Sequence, residues 1–188
     1  MDPVYTGAPM PHKIIPVLSK KDIPAKYKNT PISLLFEYHN LGREFDEYPS
    51  AKLLVAMCMD NRKYLRIPDN FAFIIRSGGA NLRYSEFKVS FAVAVGHVKH
   101  IALIAHNHCA MTNLISKKSE FITGLVKNAG WKKEAAEDHF MNMAPMHEIG
   151  DERDFIVSEK HRLSRKYPKV EIAPLYYKVE DNRLYLIK

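Results

Sequence analysis

Cysteine is scarce in this 188-residue chain, which has only Cys58 and Cys109. That excludes a disulfide-stapled secreted scaffold, and in a reducing compartment it favours a metal-binding or catalytic role for each thiol. Glycine (8) and proline (11) are too few for a collagen-like or low-complexity chain. No apolar run approaches the roughly 18 to 20 residues of a membrane-spanning helix. The first 30 residues lack a basic stretch followed by an apolar one, so no secretory signal is visible. These absences predict a cytoplasmic protein with no membrane partner.

Apolar residues make up 46% of the chain and charged residues 26%. That is enough apolar surface for one globular domain and argues against intrinsic disorder. The formal charge is +7, and most of the excess lies in residues 51–100, where eight basic residues stand against three acidic ones. The same block contains Cys58, Asp60 and Arg62. Such a local excess suits a small anion at least as well as DNA, and equally a mildly basic, soluble surface. Charge alone does not decide among these three.

Six of the prolines fall in residues 1–31, which predicts an N-terminal arm over residues 1–30, lying along its own body or a neighbour's. A single α/β domain is expected over 31–188. Its first helix starts with Thr30 as N-cap and Pro31 at the first helical position, has Leu34, Leu35, Tyr38 and Leu41 on one face, and ends at Gly42. The continuous apolar runs Leu53 to Met57, Phe71 to Ile75 and Ile101 to Ala105 read as strands of a parallel sheet buried on both faces. Between the last two, a helix opens at Ser85 and Glu86 with Phe87, Phe91, Ala94, Val95 and Val98 at helical spacing. Further helices are expected between Ser119 and Gly130, from about Lys132 to Met143 before Pro145, and from about Asp151 to Lys166. The last has acidic residues at its start and basic ones at its end, as the helix dipole favours. Val170 to Val179 and Arg183 to Ile187 read as an edge hairpin, because Pro174 cannot donate to a central ladder. Strands alternating with helices give an α/β fold with a mainly parallel sheet, about four parallel strands plus an edge strand, flanked by helices.

Sites in open α/β sheets lie at the carboxyl ends of strands. The first buried run is followed by Cys58, Met59, Asp60, Asn61 and Arg62, and the third by His106, Asn107, His108 and Cys109. Two thiols and an imidazole form a soft donor set that suits tetrahedral Zn²⁺ with one position open. C-x-D-x-R after one strand and H-x-x-C after a later one resemble the signature of the β-class carbonic anhydrases. Arg76, Ser77, Gly78, Gly79 and Ala80 resemble that family's R-N-A-G segment, and the order of elements agrees over roughly residues 30 to 188. The resemblance implies that Cys58, His106 and Cys109 bind zinc, that Asp60 and Arg62 form the catalytic dyad, and that the chain works as a homodimer or a multiple of dimers. It implies reversible hydration of CO₂ to bicarbonate and a proton through zinc-bound hydroxide, and hence a small-molecule substrate as partner and no nucleic acid. Related proteins use the same zinc set on carbonyl sulfide or carbon disulfide, which is the alternative activity. A non-catalytic zinc-containing binding protein is the alternative of another class. The chain departs from the family pattern at His108 and Ala110, which flank Cys109, and His108 is itself an alternative ligand. Gly78 and Gly79 answer either to a turn needing positive φ or to a backbone approach to the site.

Overall fold

The structure, a computed structural model, describes residues 12–188. Pro3, Pro9 and Pro11 of the expected arm therefore lie outside the described residues. In chain order the elements are β1 (Ile14–Pro16), α1 (Pro31–His39), β2 (Leu53–Cys58), β3 (Ala72–Ser77), α2 (Glu86–Ala94), β4 (His100–His106), α3 (Lys118–Ala129), α4 (Lys133–His147), α5 (Glu152–Lys166), β5 (Glu171–Lys178) and β6 (Arg183–Ile187). They form one six-stranded sheet in the order β1-β6-β5-β4-β2-β3. Its core is the expected set of four parallel strands, β5, β4, β2 and β3. β6 and then β1 add to it antiparallel.

Helices cover both faces, as a mainly parallel sheet requires. On one face α1 packs Ile32, Leu35 and Phe36 against Leu53, Val55, Met57, Ala102 and Ile104, and Val17, Ile23 and Tyr27 from the segment before α1 join the same core. On the other, Val89 and Ala92 of α2 and Ile156 and Leu163 of α5 pack on Leu54, Ala56, Leu103 and Ala105. The Thr30 hydroxyl accepts from the Ile32 N–H and caps α1, and Asp151 accepts from the Arg153 and Asp154 N–H groups to cap α5. α3 and α4 meet through the Phe121 and Phe140 rings, whose centroids are 5.2 Å apart, and through the Lys118–Glu137 ion pair. They are tied to the strand-end loops by Ile149 N–H to the Met111 carbonyl and by the Asn81 amide to the Met146 carbonyl.

Four local expectations are corrected. β3 is the edge of the sheet, so Phe73 (38% exposed) and Ile74 (49%) are open on one side instead of buried on both. α2 turns its predicted stripe outward: Phe87 is 82% exposed and Phe91 50%, because Val89 and Ala92 face the sheet. β5 lies inside the sheet, not at its edge. Its ladder with β6 begins only at Leu175, so the missing N–H of Pro174 falls beyond that ladder. α4 runs on to His147 with Pro145 inside its last turn, where only one helical hydrogen bond is lost.

His39, at the end of α1, accepts from the Arg66 N–H at Nδ1 (3.0 Å), lies against the Tyr177 ring, and has a buried Nε2 with no partner. Burial pushes its pKa down from 6.5 to about 4. The unfolded chain therefore takes up this proton first, and stability present above about pH 6.5 is lost as pH falls toward about 4, by an amount on the order of 3 kcal/mol. Urea unfolding at pH 7 and pH 4.5 should show a smaller loss in His39→Gln than in wild type. An equal loss would free His39 of this role.

Candidate metal centre

Cys58 ends β2 and His106 ends β4, two strands paired side by side, so the topology alone brings the two predicted segments together. Cys109 follows three residues after His106. Sγ of Cys58 is 4.0 Å from Sγ of Cys109, and the donor atoms of Cys58, His106 and Cys109 all lie within 4.8 Å of one another. All three side chains are buried. Nδ1 of His106 lies 2.8 Å from the Asn107 carbonyl oxygen, an arrangement that makes Nδ1 the donor and frees Nε2 to face the thiols. That Nε2 is buried and has no hydrogen-bond partner. An orphaned imidazole nitrogen beside two thiols is what a soft, tetrahedral metal ion would satisfy, so the residues present fit Zn²⁺.

The two thiols are held close enough that they do not ionise independently. The hydrogen bond from Cys109 drives the Cys58 thiol well below its ordinary range, aided by His106, and the same contact pushes Cys109 up. The pair keeps one proton between them, which a divalent cation would displace. The Gly79 N–H donates to Cys58 Sγ at 3.3 Å. Gly79 has φ +60°, and a Cβ there would lie 2.7 Å from the Ile149 side chain. Both readings of this glycine therefore hold at once: the turn needs positive φ, and the backbone approaches the site.

Asp60 and Arg62 stand on the loop directly after Cys58. The Arg62 N–H donates to Asp60 Oδ1 (2.9 Å), and its guanidinium grips both carboxylate oxygens, Nε to Oδ1 at 3.0 Å and Nη2 to Oδ2 at 2.6 Å. This clamp holds the Asp60 carboxyl far below the usual carboxylate range. Arg62 Nη2 also donates to the His108 carbonyl (3.0 Å), joining the β2 and β4 loops.

His108 points away from the thiols. Its Nε2 is 3.0 Å from Glu180 Oε1, its side chain is 69% exposed, and its φ is +56°. Asn107 binds the same carboxylate and accepts from the Val179 N–H, so the β5–β6 turn braces the loop that runs from His106 to Cys109. Sequence reasoning missed Glu180, which is 72 residues from His108 and shows only as part of a polar turn. The bracing by Arg76 was also missed. Its Nη1 donates to the carbonyls of Cys58 and Asp60 (3.4 Å each) and its Nη2 to that of Lys63 (3.1 Å). Beside the centre lies an apolar cavity of about 320 Å³ lined by Met59, Gly78, Met111, Phe121, Phe140 and Met143 among others.

No family model matches the sequence, and no curated protein matches it. Solved structures do match. The β-carbonic anhydrase isoform I of Trichomonas vaginalis aligns with a TM-score of 0.59 at 17% identity, over 78% of this chain and 87% of that one. The carbonic anhydrase of Glaciozyma antarctica gives 0.57 at 17% identity, over 86% and 98%. A carbon disulfide hydrolase in its apo form gives 0.53 at 20% identity, over 72% and 77%. The shared property at this identity is the fold, a mainly parallel α/β sheet of the β-carbonic anhydrase type.

Proposed function

We propose that this chain, which has the fold of the β-carbonic anhydrases, is a zinc enzyme that converts CO₂ and water reversibly to bicarbonate and a proton. The observation that carries this reading is the convergence of Cys58 Sγ, His106 Nε2 and Cys109 Sγ beside a clamped Asp60–Arg62 pair. A structural zinc would need the first group alone. In this reading Cys58, His106 and Cys109 hold the ion, which would supply Lewis acidity that makes a water nucleophilic near neutral pH. Asp60, kept ionised by Arg62, accepts a hydrogen bond from the attacking water and fixes the direction of its lone pair. Arg62 positions the carboxylate and ties it to the loop bearing Cys109 through the His108 carbonyl. A cytoplasmic location belongs to the same reading.

The methionine- and phenylalanine-lined cavity beside the centre favours a second reading, hydrolysis of carbonyl sulfide or carbon disulfide, in line with the fold shared with a carbon disulfide hydrolase. Stopped-flow hydration of CO₂ by zinc-loaded protein, run beside sulfide release from the two sulfur substrates, separates them. Fast CO₂ hydration supports the first reading. An inert protein toward CO₂ overturns it.

The homodimer belongs to the same proposal and is supported by a surface of the fold, because the described part of the arm packs on its own chain through β1, Val17, Ile23 and Tyr27. β3 is an open sheet edge, and Phe73 and Ile74 on it adjoin Phe87 and Phe91 of α2 and Val95 just after it, all exposed. Such a contiguous apolar surface marks an association face, and a self-complementary one gives a twofold pair. Light scattering at micromolar concentration should return twice the chain mass, and Phe91→Asp should lower it. A monomeric, active wild type would contradict the dimer.

A further inference from the structure

We infer that Glu180, on the turn between β5 and β6, is a positioning residue for the candidate metal centre: it fixes the Asn107–His108 segment and, through it, the placement of Cys109 and Arg62. The inference rests on the zinc reading above, but its test reads metal affinity and does not require CO₂ hydration. His106 ends a strand, whereas Cys109 hangs on a loop, and a tetrahedral ion needs both donors at one separation. Glu180 is placed to set it. Its Oε1 accepts from Asn107 Nδ2 and lies 3.0 Å from Nε2 of His108. The Val179 N–H donates to Asn107 Oδ1 at 2.9 Å, so both polar atoms of the Asn107 side chain are held by the β5–β6 turn.

That turn is a firm anchor. The Asn182 N–H donates to the Lys178 carbonyl and the Arg183 N–H to Asp181 Oδ1, each at 3.0 Å. β5, which leads into it, pairs with β4 as far as His106, whose register partner is Tyr177. The gripped segment needs an anchor, because His108 has a φ of +56°, a left-handed conformation that residues other than glycine adopt only at a cost. Glu180 holds the side chain of His108, and Arg62 holds its carbonyl at 3.0 Å. The segment thus joins the β5–β6 turn to Cys109 on one side and to the Arg62–Asp60 pair on the other. A loop ordered beforehand loses no freedom when an ion arrives, so the contacts of Glu180 act on metal affinity. They contribute little to the stability of the fold, because the Glu180 and His108 side chains are 58% and 69% exposed.

The test measures the zinc affinity of the full chain by competition with a chromophoric chelator, beside the Tm of the metal-free protein. Glu180→Ala should lower zinc affinity by roughly tenfold, the lower end of what partners that orient metal ligands contribute, and leave Tm nearly unchanged. This variant also removes a negative charge, so a second one separates the two effects. Asn107→Ala changes no charge and should lower affinity to a similar extent, with the combined variant no worse than either alone. Glu180→Gln keeps an acceptor oxygen for Asn107 and should recover part of the affinity. The losses should persist at roughly 1 M salt, where charges act over only about 3 Å. Unchanged zinc affinity in folded Glu180→Ala overturns the inference. So does a loss confined to that variant and abolished by salt, which would make Glu180 only a nearby charge, or a large fall in its metal-free Tm, which would make its role purely structural. If the affinity losses are present while zinc-loaded wild type fails to hydrate CO₂, the Glu180 inference stands and the catalytic reading falls. A wild type that takes up no metal overturns both.

Discussion

Replacing Asp60 by Asn will leave zinc content intact and lower kcat/KM for CO₂ hydration by roughly 10² or more, equivalent to about 2.7 kcal/mol of transition-state stabilisation. The substitution keeps size and shape but removes the charge that Arg62 grips with two hydrogen bonds, and it turns one acceptor atom into a donor that faces the guanidinium. Were the pair only an ion pair, its exposure would limit the loss to about 0 to 1 kcal/mol of stability, with activity nearly untouched, since the Arg62 side chain is 45% exposed. Stopped-flow CO₂ hydration by the zinc-loaded variant decides between these. Because Arg62 holds the Asp60 carboxyl well below the usual carboxylate range, the dyad should stay ionised through mild acidification, and a loss of activity between about pH 7 and 5 is expected to arise at another group. A folded, zinc-loaded Asp60→Asn protein as active as wild type would end the dyad mechanism.

Cys109→Ser should cost more. A serine hydroxyl stays protonated at neutral pH and is a hard, weak donor where the site offers soft ones, so metal affinity should fall by at least roughly 10²-fold and activity should drop to background at limiting zinc. Cys58→Ser should behave alike, with the added loss of the Gly79 N–H contact to sulfur. His106→Ala removes the buried Nε2 that otherwise has no partner, and should do the same. Metal analysis after dialysis against a weak chelator is the check: about one zinc per wild-type chain and little in the variants. Full occupancy in any of the three would remove that residue from the ligand set.

Much of this protein is legible along the chain because its signals are local. Thr30 and Pro31 start α1 through a cap and a preset φ, and the acidic and basic ends of α5 match its dipole. The apolar runs before Cys58 and His106 read as buried strands, and adjacent parallel strands deliver their carboxyl ends to one place. The strand ends therefore imply a donor set of Cys58, His106 and Cys109, and the family resemblance adds Asp60 and Arg62 to it. What the sequence could not decide are matters of neighbourhood. The spacing in α2 predicts an apolar stripe but not which side meets the sheet, and the sheet takes Val89 and Ala92 while Phe87 and Phe91 look outward. A run such as Phe71 to Ile75 reads the same at the centre of a sheet as at an open edge. Pro174 was tolerated inside the sheet because a partner ladder happens to begin one residue later. Glu180 reaches His108 and Lys63 loses its water only once distant segments close around the strand ends, since burial and long-range pairing are properties of the packed chain and leave no period in the sequence.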